Sequence, residues 1–198
     1  MHVEINQDTP ESIENAGMQN NTDENLMGLV AGGDKDAFAV LVRKYLPGLL
    51  NFFHRMNVYS GDRDDLVQEA FIRLFNYRAK YTPTAKFRTF LYMIARQVQV
   101  DYFRKQQRRL SLSESLKEEV EEPGITNARR GKEEDRKEMV AKALETLSEE
   151  MKCVVVMSIY QGLKYAEIAK ILNIPVGTVK TRMFHALQKL GKAIEYEG

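Results

Sequence analysis

Wherever this chain carries an apolar stripe, the stripe has a helical period. Phe38, Leu41, Val42 and Tyr45 recur at three- and four-residue spacing, as do Leu66, Val67, Ala70, Phe71, Leu74 and Phe75, and later Val140, Ala143, Leu144 and Leu147. Side chains so spaced share one face of an α-helix, and each such face must be buried against another helix. No segment alternates apolar and polar residues convincingly, which argues against a sheet. The expected fold class is all-α.

Punctuation divides the stripes. Asp23 is expected to cap a short helix ended by Gly32-Gly33, and Asp34 the next, with Pro47 kinking it. Ser60-Gly61-Asp62 and Thr82-Pro83-Thr84 break the chain again, and a helix beginning at Thr84 or Lys86 should run to about Arg109. Ser148 is placed to cap a helix containing Val154, Val155 and Met157; two shorter helices, about 164–172 and 176–191, follow around Asn173-Ile174-Pro175. The expected organisation is an acidic disordered tail (1–22), a helical domain (23–109), an acidic linker around Pro123-Gly124 (110–135) and a second helical domain (136–198).

A net charge of +1 conceals this division. Residues 1–25 hold six acids and no Lys or Arg, residues 86–109 seven bases and one acid, and residues 110–135 eight acids against four bases. Basic patches separated by acidic stretches point to a polyanionic partner. Other classes fall away. No apolar run approaches the ~20 residues of a membrane span. The N-terminus has neither the basic start nor the apolar core of a signal peptide. The single cysteine, Cys153, reads as a small buried hydrophobe, and His2, His54 and His185 are too scattered for a metal centre. No cofactor and no metal are expected.

Tyr165 to Leu187 fits a helix-turn-helix. Ile168, Ala169 and Leu172 are expected to pack inward, Asn173 suits the left-handed residue of the turn, and Val179, Met183, Leu187 and Leu190 form the expected buried stripe of the second helix. That arrangement leaves Thr178, Lys180, Thr181, Arg182, His185 and Gln188 outward, on a stretch from Val176 to Lys192 without an acid. Hydrogen-bonding and cationic side chains at a helix N-terminus suit phosphate docking and base-edge contact in a major groove. A basic helical bundle without DNA would share the pattern.

The segment Tyr77 to Arg109 interleaves Tyr77, Tyr81, Phe87, Phe90, Tyr92, Tyr102 and Phe103 with Lys86, Arg88, Arg96, Arg104, Lys105, Arg108 and Arg109. Stacking on such rings holds single-stranded bases at about 1–3 kcal/mol each while cations follow the backbone. Phe87, Phe90, Leu91, Ile94, Ala95 and Val98 share one face and read as core; Tyr77, Tyr81, Tyr92 and Tyr102 suit half-exposed positions. The acids Asp62, Asp64, Asp65 and Glu69 stand at a helix start, where capping and the helix dipole favour them, and read as a solvated face or a docking face ahead of a metal site.

Set in order, these pieces resemble the extracytoplasmic-function (ECF) group of bacterial RNA polymerase sigma factors. Asp62-Arg-Asp-Asp-Leu-Val-Gln-Glu-Ala-Phe71 is similar to that family's core-docking motif. Phe87-Arg-Thr-Phe-Leu-Tyr-Met-Ile-Ala-Arg96 with Asp101-Tyr-Phe-Arg-Lys105 resembles its promoter-melting helix, and Tyr165-Ala-Glu-Ile-Ala169 with Gly177-Thr-Val-Lys-Thr-Arg182 its −35-reading helix-turn-helix. Departures are Phe90 where the family usually has Trp, Gln97 for the common Asn, Leu147-Ser148 for Leu-Pro, and Phe184-His185-Ala186 where Arg usually precedes Ala.

The resemblance implies a non-enzymatic initiation factor working in the cytoplasm, with no membrane insertion of its own. It implies docking on core RNA polymerase through Asp65, Gln68, Glu69 and Arg73, and contact with the melted −10 element through Tyr77, Lys80, Tyr81, Arg88, Tyr92, Arg96, Arg104 and Lys105. Duplex −35 DNA would be read through Thr178, Lys180, Thr181, Arg182 and His185. Family practice adds an anti-sigma factor, often membrane-anchored, so the protein can be held at the inner face of the membrane. Melting would proceed by capture of a flipped base. Free protein should bind DNA poorly, because two weak contacts on one tether gain avidity only on polymerase.

Overall fold

The computed structural model describes residues 22–113 and 132–196, which form eight α-helices and no strand. The expected acidic tail and most of the expected linker lie outside the described residues.

Four helices build the N-terminal block: α1 (Asp23–Ala31), α2 (Lys35–Arg55), α3 (Arg63–Tyr77) and α4 (Phe87–Ser113). Thr22, not Asp23, caps α1: its hydroxyl accepts the Asn25 N–H at 3.2 Å, leaving Asp23 in the first turn. There the Asp23 carboxylate takes the Lys44 ammonium and the Tyr45 hydroxyl, each at 2.6 Å, and pins α1 to α2. Asp34 caps α2 as expected, accepting from the backbone of Asp36 and Ala37. Pro47 does not end α2. Phe52, Phe53, Leu41 and Leu49 of α2 are buried with Val67, Ala70 and Leu74 of α3 and Phe87, Leu91, Ala95 and Val98 of α4. Each Val, Leu or Phe side chain among them stabilises the fold by roughly 1.5–3 kcal/mol relative to exposure. Phe90 and Ile94 flank this core half-buried.

The C-terminal block comprises α5 (Lys132–Glu145), α6 (Glu149–Val155), α7 (Tyr165–Leu172) and α8 (Val176–Tyr196), with a wider π-turn at Val156–Tyr160 between α6 and α7. Ser148 caps α6 through its bond from the Met151 N–H. Asn173 adopts the left-handed conformation (φ 52°) that lets α7 stop and α8 start across it. The buried stripe of α8 is Val179, Met183 and Ala186, with Leu190 half-buried behind them; Leu187, expected inside, is half exposed. Helical geometry explains the correction. A residue seven positions after Val179 returns to within about 20° of it, whereas one eight positions on lies about 80° away. Ile171 is likewise buried where Leu172 is only half so.

The two blocks pack on each other through α4 and α7, and through α2 and the π-turn, and one apolar cluster runs through both. Cys153 is fully buried in it, and burial pushes its thiol up to about 11.

Candidate nucleic-acid interface

Helix α3 presents Asp65 and Gln68 to solvent on its outer face. Glu69 and Arg73 are engaged within the block: Arg73 donates to Glu69 at 2.7 Å and to Asp101 of α4 at 2.8 Å, so it fixes α3 against α4. Beside Gln68 lies an apolar groove of about 570 Å³, lined by Phe38, Val42, Phe71, Ile72 and Phe75. Ile72 is 53% exposed there. Sequence reading assigned the whole apolar stripe of α3 to the core; the extra apolar residue beside the stripe was the available signal.

Asp62 does not join a metal centre. Its carboxylate accepts the Tyr102 hydroxyl at 2.8 Å, and among the described residues no group of ligating side chains is placed to hold a metal ion. Asp65 shares a cleft of about 280 Å³ with Lys105 and Arg109, which sets the outer face of α3 beside the basic end of α4.

The loop between α3 and α4 gathers the aromatics. Tyr77 and Tyr81 lie 5.2 and 5.4 Å from the Phe90 ring, and Tyr81 also meets Phe87. Tyr77 stands partly in solvent, Lys80 is exposed, and the buried Tyr81 hydroxyl makes no hydrogen bond. Arg78 stacks on Phe75 and donates to its carbonyl, holding the loop's first turn.

Along α4, Arg88, Tyr92 and Arg96 recur every four residues and form one stripe, and that stripe faces the C-terminal block. Arg88 donates to the carbonyls of Gln161 and Gly162 and lies 3.5 Å from the Glu167 carboxylate. The Tyr92 hydroxyl donates to the side-chain oxygen of Gln161 at 2.5 Å, and Arg96 bridges Gln99 and Glu149, each at 2.7 Å. Tyr92 is 2% exposed, against the half-exposed site expected for it, and burial pushes its hydroxyl up to about 12. Its partner lies 69 residues away in sequence, beyond any local reading. Arg104 and Lys105 remain exposed at the far end of α4.

On α8, Lys180, Thr181 and His185 are exposed and Thr178 is half-buried. Arg182 is turned back to Glu150 at 2.8 Å. Phe184, which enters the sequence reading only through the Phe184-His185-Ala186 departure, stands 59% exposed with its ring against His185. An apolar ring there offers a surface for a thymine methyl group.

A helical block with a basic-aromatic helix, followed by a helix-turn-helix block, is the two-part architecture of sigma factors. Residues 41–109 match Sigma-70 region 2 and residues 137–190 match Sigma-70, region 4. The chain is 32% identical over 185 residues to the ECF RNA polymerase sigma-E factor of Haemophilus influenzae, covering 88% of this chain and 96% of that one. Identity is also 32% to the Escherichia coli K12 sigma-E factor over 182 residues, covering 88% and 95%. Among solved structures, CnrH in complex with the cytosolic domain of CnrY superposes with a TM-score of 0.70 at 22% identity, covering 90% of this chain and all of that one. The sigma factor RpoE of Bartonella quintana, in complex with the anti-sigma factor NepR, gives 0.67 at 23% identity, covering 82% and 98%. The chain belongs to the ECF sigma factors, and is thus a non-catalytic subunit of RNA polymerase that acts in transcription initiation. None of the described helices is long and apolar enough to cross a membrane.

Proposed function

We propose that the outer face of α3 docks the chain on core RNA polymerase, that the α3–α4 loop and α4 capture and open the −10 element, and that α8 reads the −35 duplex. The observation that carries this reading is the separation of chemistries on the N-terminal block. Asp65 and Gln68, beside an apolar groove, face one way, while Tyr77, Lys80 and Tyr81 gather around Phe90 in a loop of their own.

Docking rests on Asp65 and Gln68, with Ile72 and the groove adding apolar area; Glu69 and Arg73 hold the face in shape. Tyr77, Lys80 and Tyr81 receive an unstacked base, at a cost of a few kcal/mol that stacking offsets. Arg88, Tyr92, Arg96, Arg104 and Lys105 follow the opened strands. Thr178, Lys180, Thr181, Arg182 and His185, joined by Phe184, contact the −35 duplex, with the cations on phosphates. The residue spans 23–109 and 136–198 serve as the two working domains, joined by the acidic 110–135 segment. An anti-sigma factor is the regulating partner, as CnrH and the Bartonella RpoE are found with CnrY and NepR. The place of action is the cytoplasm, at the inner membrane face when that partner is anchored.

Two variants test the division. Asp65→Lys should abolish binding to core polymerase in a fluorescence titration. Tyr81→Ala should leave core binding intact while permanganate footprinting shows the −10 thymines closed. Equal loss of core binding in both variants would refute the separation.

A further inference from the structure

A cleft of about 590 Å³ opens between the C-terminal end of α2, the start of α3 and the last turns of α5. The chain turns around it at Asn57, which takes the left-handed conformation (φ 59°) that ends α2, while the Val58 N–H reaches back to the Phe53 carbonyl. Val58 and Leu144 give the cleft apolar walls, and His54, Arg55 and Arg63 bring three basic groups to it against one acid, Glu145. His54 and Arg55 occupy the last turn of α2, where the helix dipole favours cations. Arg63 has no such reason to be there: it is the first residue of α3, the end at which a cation is disfavoured.

Both arginines are hydrogen-bonded through Nε, Arg63 donating to the Val58 carbonyl at 2.9 Å and Arg55 to the Asn51 side chain at 3.1 Å, with the Arg55 guanidinium 3.5 Å from the Tyr160 ring centre. Among the described residues the outer nitrogens of neither guanidinium hydrogen-bond to the chain, and none of the three basic groups forms an ion pair. Two guanidinium forks fixed at the stem, with their outer edges unengaged, suit a phosphate group. His54 registers the same excess of positive charge: burial, then Arg63 and Arg55, hold its imidazole below the usual histidine value. At the rim Tyr59 is 58% exposed, and its ring rests on Gly61, where a Cβ would come within 3.0 Å of it. We propose that this cleft binds a nucleotide-sized organic phosphate, its phosphate between Arg55, Arg63 and His54 and its planar ring on Tyr59 against Val58 and Leu144. The volume lies in the range of small-molecule sites. A dianionic phosphate answers three basic groups and one acid better than a carboxylate does. The cleft is separate from the outer face of α3, the aromatic loop and the outward face of α8, none of whose residues line it.

The test titrates the full chain with adenosine 5′-monophosphate (AMP), with adenosine and inorganic phosphate as controls, and follows binding by calorimetry and by the His54 imidazole signals in NMR. AMP should bind, adenosine should not, and inorganic phosphate should bind about tenfold more weakly than AMP. The His54 pKa should rise when AMP is bound, because the charged imidazole then gains a partner. Arg63→Gln should weaken AMP binding about tenfold, the loss expected for one charge-assisted hydrogen bond. Arg63 also holds the Val58 carbonyl, so Tyr59→Ala, at an exposed position, is the second variant: it should leave thermal unfolding and inorganic phosphate binding unchanged while weakening AMP. Both variants should bind the −35 duplex and single-stranded −10 DNA as the native chain does. Three results overturn the proposal: no AMP binding at millimolar concentration, AMP binding that neither variant weakens, or equal affinity for AMP and inorganic phosphate, which would make this a simple anion site. Loss of DNA binding by a folded Arg63→Gln chain also overturns it, and would assign the cleft to the nucleic-acid path. None of these readouts passes through polymerase, so they stand apart from the docking and promoter roles.

Discussion

The Glu24 carboxylate accepts the backbone N–H of Phe87 at 2.7 Å, so a residue of α1 caps the helix that carries the basic stripe. Thr84, Ala85 and Lys86 do not supply this bond; the cap comes from 63 residues upstream. An acid at a helix N-terminus satisfies an orphan donor and complements the dipole. Glu24→Ala should lower stability by about 1 kcal/mol, measured by urea denaturation, with Glu24→Gln retaining part of it.

Asp101 provides a pH-dependent contact. Its carboxyl is held below the usual aspartate value, first by the Arg73 hydrogen bond, with Gln97 and Arg104 adding to it against partial burial. A depressed folded value means that the contribution is complete above the unfolded value near 3.8 and disappears as pH falls through the folded one. The pair is more than a third exposed at Asp101 and about a third at Arg73, so it contributes at most about 1 kcal/mol. The stability difference between the native chain and Asp101→Asn should therefore be constant from neutral pH to about 4 and shrink below it. Denaturation across that range is the check, and a difference that grows on acidification would contradict the assignment.

At the helix-turn-helix corner, Asn173 holds its left-handed conformation while its N–H bonds the Lys170 carbonyl and the Ile174 N–H reaches Ala169. Asn173→Ala should cost about 1–2 kcal/mol through the left-handed penalty alone, and Asn173→Gly should be close to neutral. Thermal unfolding of the two variants separates a conformational cause from a lost side-chain contact.

On the −35 face, Lys180→Ala should weaken binding uniformly across duplex sequences and reduce the salt slope by about 1, as loss of one phosphate contact does. Phe184→Ala should leave the salt slope alone and relax preference at one thymine position. A change of slope for Phe184→Ala would place the ring against the backbone instead.

The parts of this molecule that were legible in the sequence are those that local chemistry decides: the caps at Asp34 and Ser148, the left-handed Asn173, the helical period of every stripe and the acid-free face of α8. Leu187 falls outside the core because it lies about 80° from Val179 around the helix, at the margin of the stripe that Ala186 continues within about 20°. Tyr92 was misjudged for another reason. Its exposure depends on Gln161, a residue of the other block, as the start of α4 depends on Glu24. Contacts of that sequence separation carry no local period, so the seam between the blocks is not legible in the sequence, although Arg88, Tyr92 and Arg96 on its α4 side are.

Transcription itself tests the central claim most directly. Purified chain is added to bacterial core polymerase lacking sigma, on genomic promoter fragments and without any ATP-hydrolysing activator, and run-off transcripts are mapped. Defined start sites that require this chain, and that vanish with Asp65→Lys together with core binding, are the expected result. Transcripts that persist undiminished with Asp65→Lys, or none at all while the chain alone grips duplex DNA tightly, would contradict it.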